Sequence, residues 1–105
     1  YLAKKDYDNA VTYFLAALKL EPRNETAKMN LAGAYASAKQ YDAAKTLYTE
    51  ILQRNQNNLE AYVELAKVCI ALQDNAAAEK YLVTVQAKDA SFRKAEVASL
   101  LASIR

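Results

Sequence analysis

The sequence predicts an all-α fold of antiparallel helix-turn-helix repeats, and three observations lead to it. With 1 Gly and 1 Pro in 105 residues, the residues that punctuate most turns fall far below their usual share of roughly one in eight. That disfavours an all-β sandwich or barrel, which needs special backbone angles about every 10 residues. Laid on itself at a shift of 34, the chain brings Tyr1, Lys5, Tyr7, Asp8, Ala10, Thr12, Leu18 and Asn24 onto Tyr35, Lys39, Tyr41, Asp42, Ala44, Thr46, Leu52 and Asn58. These are 8 identities in 24 aligned positions. A second shift carries Ala27, Leu31, Ala32, Ala43 and Ala44 onto Ala61, Leu65, Ala66, Ala77 and Ala78. Within each period the apolar residues recur at helical spacing, so each repeat reads as two helices.

The first helix is predicted over 7–20 and ends at Glu21-Pro22-Arg23-Asn24, where the proline cannot continue it. The second, over 25–38, follows Asn24, whose side chain can accept from a first-turn amide, and carries Ala27, Leu31, Ala34 and Tyr35 on one face. The third, over 41–54, repeats the first with Ala44, Leu47, Tyr48, Ile51 and Leu52, and the run Asn55-Gln56-Asn57-Asn58 breaks it. Asn57 or Asn58 caps the fourth, over 59–72, with Glu60 following; Asp74 caps the fifth, over 75–87; Ser91 caps the sixth, over 92–104. Connections this short make consecutive helices pack antiparallel.

Composition excludes several classes of function. An apolar fraction of 53% supports a core, 25% charged residues suit a solvated surface, and no apolar run reaches the length of about 18 residues that a membrane span needs. Zero His removes the usual general base and metal ligand, which sets aside Ser-His-Asp and Cys-His systems. The single Cys69 forms neither an internal disulfide nor a thiolate zinc site, and leaves the compartment open. The net charge of +2 comes with dispersed Lys and Arg, so no basic stripe points to nucleic acid. One Gly permits no phosphate-cradling loop, so no cofactor is predicted. Of the acidic pairs, Asp6 with Asp8 sits where a helix begins and the dipole favours negative charge. Glu60 with Glu64 lies one turn apart beside Lys67, a mixed-charge patch with no nucleophile nearby.

At this point the residues resemble the tetratricopeptide repeat (TPR) family, whose 34-residue unit carries a bulky aromatic, Leu, a small residue and Tyr on its first helix. That pattern reads Leu31, Ala32 and Tyr35 in one repeat, and Tyr62, Leu65, Ala66 and Cys69 in the next. The family's second-helix series reads Tyr7, Ala10, Phe14, Ala17 and Pro22, then Tyr41, Ala44, Tyr48 and Ile51, then Asn75, Ala78, Leu82 and Val85. Departures are Lys28, Cys69 and Asn75 at aromatic positions, and Gln56 and Ala90 in place of the proline. The resemblance implies a right-handed α-solenoid. It divides the chain into the second half of a repeat (1–24), full repeats (25–58 and 59–92) and a C-terminal capping helix (93–105) carrying Val97, Leu100, Leu101 and Ile104. Tyr1 aligns with Tyr35, near the end of a first helix, so the register predicts that most of one helix is missing upstream.

In that family the first helices line a concave groove that receives a peptide or a partner's helix. Carried onto this sequence, the face is Thr26, Met29, Asn30, Gly33, Ala36 and Ser37, then Glu60, Val63, Glu64, Lys67, Ile70 and Ala71. The first set is uncharged, and a charge-free face away from the core calls for a covering partner. Packing of Met29, Val63 and Ile70 between repeats is the alternative. Gly33 favours binding, since a mid-helix glycine costs about 1 kcal/mol against alanine and permits close backbone approach. Members of the family that clamp a C-terminal carboxylate do so with Lys, Asn and Arg; only Asn30 matches, and Glu60 and Glu64 stand where cations would be expected.

The tyrosines Tyr1, Tyr7, Tyr35, Tyr41, Tyr48 and Tyr62 fall where the family buries an aromatic, leaving Tyr13 and Tyr81 freer, so a nucleic-acid stacking platform is not expected. Cys69 reads as a small buried hydrophobe. The function implied is a non-catalytic protein-interaction module binding a protein or peptide partner. The alternative is a self-assembling oligomerisation domain of a larger protein, since the helix carrying Phe14 and Ala17 lacks its usual partner in the sequence.

Overall fold

Among the described residues six helices follow one another: α1 (Lys4–Leu20), α2 (Glu25–Ser37), α3 (Tyr41–Arg54), α4 (Leu59–Ala71), α5 (Asn75–Lys88) and α6 (Lys94–Ile104). The computed structural model describes the backbone of residues 4–104 and the side chains of residues 9–104, with no strand among them. Tyr1 and the side chains of Lys5, Asp6, Tyr7 and Asp8, which entered the sequence argument, lie outside the described residues.

One turn recurs at the repeat period. The amide of Asn24 donates to the carbonyl of Glu21 at 3.1 Å, that of Asn58 to Asn55 at 3.3 Å, and that of Phe92 to Asp89 at 3.1 Å. In the first two cases the asparagine that closes the turn also caps the next helix. Asn24 Oδ1 accepts from the Ala27 amide at 3.0 Å, and Asn58 Oδ1 from the Ala61 amide at 3.0 Å. Asp74 caps α5 in the same way, accepting from Ala77 at 3.2 Å. The third copy of the turn has Phe92 where the first two have their capping asparagine, and so no side-chain acceptor. This corrects the expected start at 92 and the Ser91 cap. Ser91 is drawn back onto Asp89, which accepts from its amide at 3.0 Å and its hydroxyl at 2.6 Å, and α6 begins only at Lys94. These bonds hold the exposed Asp89 carboxyl below the usual carboxylate range.

A second device also repeats. After α2, Gln40 donates its amide to the Tyr35 carbonyl at 2.8 Å and Lys39 donates to Ala36 at 3.0 Å. After α4, Asp74 donates to Cys69 at 2.8 Å and Gln73 to Ile70 at 2.9 Å. These paired bonds form the Schellman closure, which needs a left-handed residue just past the helix. Lys39 and Gln73 fill that position at φ 66° and 65°. Each of them turns the chain between the two helices of a repeat.

Consecutive helices pack side by side, and in addition α2 meets α4 and α4 meets α6, whereas among the described residues the backbones of α1, α3 and α5 do not approach one another. A stack closer on one side than the other curves toward the closer side. The concave face therefore belongs to α2, α4 and α6. Close approach rests on Ala32, Ala44, Ala61, Ala66 and Ala78, all wholly buried, since larger side chains there would push the paired helices apart. Around them Leu31, Tyr48, Ile51, Leu65, Leu82, Val85 and Val97 fill the core, each large apolar side chain contributing roughly 1.5–3 kcal/mol. The second-helix series Ala44, Tyr48, Ile51 and Ala78, Leu82, Val85 thus forms the buried seam.

Candidate functional site

Two cavities open along the α2 and α4 face. The larger, about 670 Å³, lies at the start of both helices and is lined by Glu25, Thr26, Met29, Asn30, Asn55, Asn57, Asn58, Leu59, Glu60 and Phe92. The other, about 370 Å³, lies at their far end and is lined by Gly33, Ala36, Ser37, Tyr41, Tyr48, Glu64, Lys67, Val68 and Ala71. Ten of the twelve residues expected on the face line one cavity or the other.

Val63 and Ile70 do not. Val63 is 0% exposed, so it offers no surface to a ligand and packs inside the core. The reason is the crowding of α4, which is contacted by α2, α3, α5 and α6 and buries Ala61, Val63, Leu65, Ala66, Val68 and Cys69. Ile70 is half-buried against the same core. Met29 packs partly on the core and also borders the larger cavity.

Tyr48 reaches from α3 to the floor of the second cavity. A Cβ added at Gly33 would stand 3.9 Å from its hydroxyl, an ordinary contact, so no atom of the fold itself requires glycine there. Burial, reinforced by the carboxylates of Glu64 and Glu60, pushes the Tyr48 phenol well above its usual range. It therefore stays protonated and presents a hydrogen-bond donor at the cavity floor.

Between the cavities runs an ion network that joins α4 to the start of α6. Lys67 Nζ lies 3.2 Å from Glu64 Oε2 and 2.8 Å from Glu96 Oε2. Arg93 reaches Glu60 at 3.4 Å, Glu64 at 3.7 Å and Glu96 at 3.4 Å. The patch read on Lys67, Glu60 and Glu64 is thus real only in part. Glu60 pairs across helices with Arg93 instead of along its own helix with Lys67. Glu64 Oε2 is buried without a well-aligned hydrogen bond, and its charge is met by the Lys67 ammonium. For Lys67, desolvation works to lower the pKa, but the bond to Glu96 and the charge of the Glu64 carboxylate outweigh it and hold the ammonium above its ordinary value. The same Lys67 bond holds the Glu96 carboxyl below its ordinary value.

Glu25 is held differently. Its carboxylate accepts from the side-chain amides of Asn55 at 3.4 Å and Asn58 at 3.1 Å, and no ion pair reaches it among the described residues. These asparagines, with Glu25, Leu59 and Phe92, line the larger cavity, and Arg93 and Glu96 join the ion network beside it; sequence reasoning missed them all. The signal available was the 34-residue spacing that sets Glu21, Asn55 and Asp89 in one turn position.

Among the tyrosines, Tyr48 is buried, and Tyr35, Tyr41 and Tyr62 pack partly against the core. Tyr13 is 70% exposed with its ring edge-on to Phe14 at 5.5 Å. Tyr81, expected with Tyr13 to be the freer pair, packs on Tyr62 with ring centroids 6.2 Å apart. Cys69 is a free, buried thiol whose pKa burial raises. Among the described residues no His, Cys, Asp and Glu cluster is placed to hold a metal ion, and no helix is long and apolar enough to cross a membrane.

Comparison with known proteins places this geometry. The tetratricopeptide repeat model matches residues 1–48 and 36–104. Among solved structures, the chain is similar to the first TPR of Spaghetti (RPAP3) bound to HSP90 peptide SRMEEVD, at 23% identity and a TM-score of 0.86 over 95% of this chain and 78% of that one. It is also similar to the TPR2B-domain:pHsp70-complex of yeast Sti1, at 25% identity and a TM-score of 0.85 over 96% of this chain and 84% of that one. No curated protein sequence matches it. The matched model spans nearly every residue, and the observed helix pairs, buried alanines and repeating turns are those its 34-residue period demands: the chain belongs to the tetratricopeptide repeat family.

Proposed function

We propose that the chain is a non-catalytic protein-interaction module whose α2 and α4 face takes an extended peptide or a helix from another protein. The observation that carries this reading is the pair of adjoining open cavities along one curved face, lined by Thr26, Met29, Asn30, Gly33, Ala36 and Ser37 from one repeat and Glu60, Glu64, Lys67 and Ala71 from the next. The two solved neighbours, each of which carries a bound chaperone peptide or chaperone in its description, support it. Photo-crosslinking from positions 29, 36 and 71, with Thr46 on the outer face of α3 as control, tests it. Capture confined to the three groove positions, and abolished at positions 29 and 36 by a groove-filling Ala71→Trp, is the expected result. Equal capture from position 46 would refute it.

A second reading, self-association, draws on α1, where Tyr13, Leu15 and Leu20 are exposed, Leu20 at 85%. Exposed apolar side chains of this size on one helix favour a covering surface. Sedimentation across a hundredfold concentration range decides it, since a constant monomer mass excludes it.

A further inference from the structure

The larger cavity has a charge character that sets it apart from the rest of the molecule. Its lining includes two carboxylates, Glu25 and Glu60, four asparagine amides, and no Lys or Arg. Glu25 is compensated only by neutral amides from Asn55 and Asn58. Among the residues that line the two cavities or join the ion network between them, four carboxylates, Glu25, Glu60, Glu64 and Glu96, stand against two cations, Lys67 and Arg93, on a chain whose net charge is +2. The starts of α2 and α4 also open here, and each contributes roughly half a positive charge. Together these offset about one of the two carboxylates, and one first-turn amide of each helix is already taken by its asparagine cap. Arg93 also reaches Glu60 but shares its one charge with Glu64 and Glu96, so the negative charge left in the cavity centres on Glu25.

Its walls also suit the stem of a long cationic side chain. Met29, Leu59 and Phe92 supply apolar surface beside the carboxylates. The molecule's own Arg93 shows the arrangement at work: its guanidinium lies 5.5 Å from the Phe92 ring centroid and 3.4 Å from Glu60.

We propose that this cavity is the specificity pocket of the groove and receives an arginine or lysine side chain of the bound segment, so that the partner is a basic peptide. The proposal rests on the groove reading given above. The cation sits between Glu25 and Glu60, its stem crosses Met29 and Leu59, and the following residues of the peptide run toward the small-residue cavity at Gly33 and Ala36. An acidic segment such as the SRMEEVD peptide of the Spaghetti complex would meet like charge here.

The test is selection of a random 12-residue peptide library displayed on phage against this chain, in parallel with Glu25→Gln, Glu60→Gln and Ala71→Trp variants, each checked by circular dichroism for an unchanged melting curve. Glu25→Gln keeps an acceptor oxygen for the asparagine amides while removing the charge. The expected result is enrichment of Arg or Lys at one position of peptides whose capture Ala71→Trp blocks, and loss of that enrichment on the Gln variants. A synthetic copy of such a peptide with the cation changed to Gln should bind about tenfold more weakly. Groove-dependent peptides that are neutral or acid-rich overturn the basic-partner proposal and leave the groove reading standing. Recovery of no peptide above a blank surface, or of peptides indifferent to Ala71→Trp, overturns both.

Discussion

Asn58 binds two repeats with one side chain: its Oδ1 accepts from the Ala61 amide at 3.0 Å while its Nδ2 donates to Glu25 Oε2 at 3.1 Å. The first bond starts α4 and the second fixes α2 against it, so the mouth of the larger cavity depends on both.

Replacing Asn58 with Ala removes the cap and leaves Glu25 with the more distant Asn55 amide. A lost cap costs about 0.5–2 kcal/mol, and the broken tie adds to it. Asn58→Asp keeps the capping oxygen but sets a second carboxylate against Glu25, so it should recover little of the loss at neutral pH. Urea unfolding checks this. A midpoint for Asn58→Asp equal to that of the unmodified chain would show that the Glu25 tie contributes nothing.

The left-handed residues Lys39 and Gln73 lead to the opposite expectation. A side chain at φ near 65° carries a cost of about 1 kcal/mol that glycine escapes, partly offset by glycine's greater freedom in the unfolded chain. Lys39→Gly and Gln73→Gly should each stabilise by about 0.5 kcal/mol. The sites lie in separate turns one repeat apart, with no hydrogen bond joining them among the described residues, so the double variant should show the sum. A destabilised double variant would mean that these side chains hold the turns through contacts of their own.

Gly33 tests whether glycine serves the fold or the groove. An added methyl meets Tyr48 Oη at 3.9 Å without clash, and alanine gains up to about 1 kcal/mol in a helix interior. Gly33→Ala should therefore raise the melting temperature. If it also weakens capture of a groove peptide, the glycine is kept for the backbone approach that the sequence suggested. A lowered melting temperature would instead show that the site is tighter than its geometry indicates.

What the sequence made legible was local. Asn24, Asn58 and Asp74 act through bonds to amides three residues on, so spacing alone located the starts of α2, α4 and α5. The start of α6 failed because Ser91 offered a plausible cap but was captured by Asp89 two residues earlier, with Phe92 in the turn. On α2 the reading of the face named residues that all line one cavity or the other. It misled on α4, where Val63 looked like a groove residue but four surrounding helices bury more than one stripe. Arg93 was illegible for another reason: its partner Glu60 lies one repeat away, and a residue's ion-pairing partner across a turn leaves no mark on spacing.

The bond between Lys67 and Glu96 makes the docking of α6 depend on pH in a definite sense. Glu96 is held below its ordinary value, so its contribution is present above the usual carboxylate range near about 4.3 and lost as pH falls through the lowered folded value. Lys67 is held above its ordinary value, so its contribution is present below about 10.4 and lost as pH rises through the raised folded value. Between those limits the pair is intact. Both groups are more than a third exposed, and solvent screening holds the contribution to about 1 kcal/mol or less. Amide exchange in α6, which is anchored by the buried Val97 and Leu101, is the sensitive measure. Protection there should form a plateau between about pH 5 and 10, corrected for intrinsic exchange, and fall at the acid edge before protection in α3 does. Lys67→Met should flatten that acid edge, and about 0.5 M salt should reduce it for the unmodified chain. An acid edge that persists unchanged in Lys67→Met would assign it to other carboxylates and deny the network its part in holding α6.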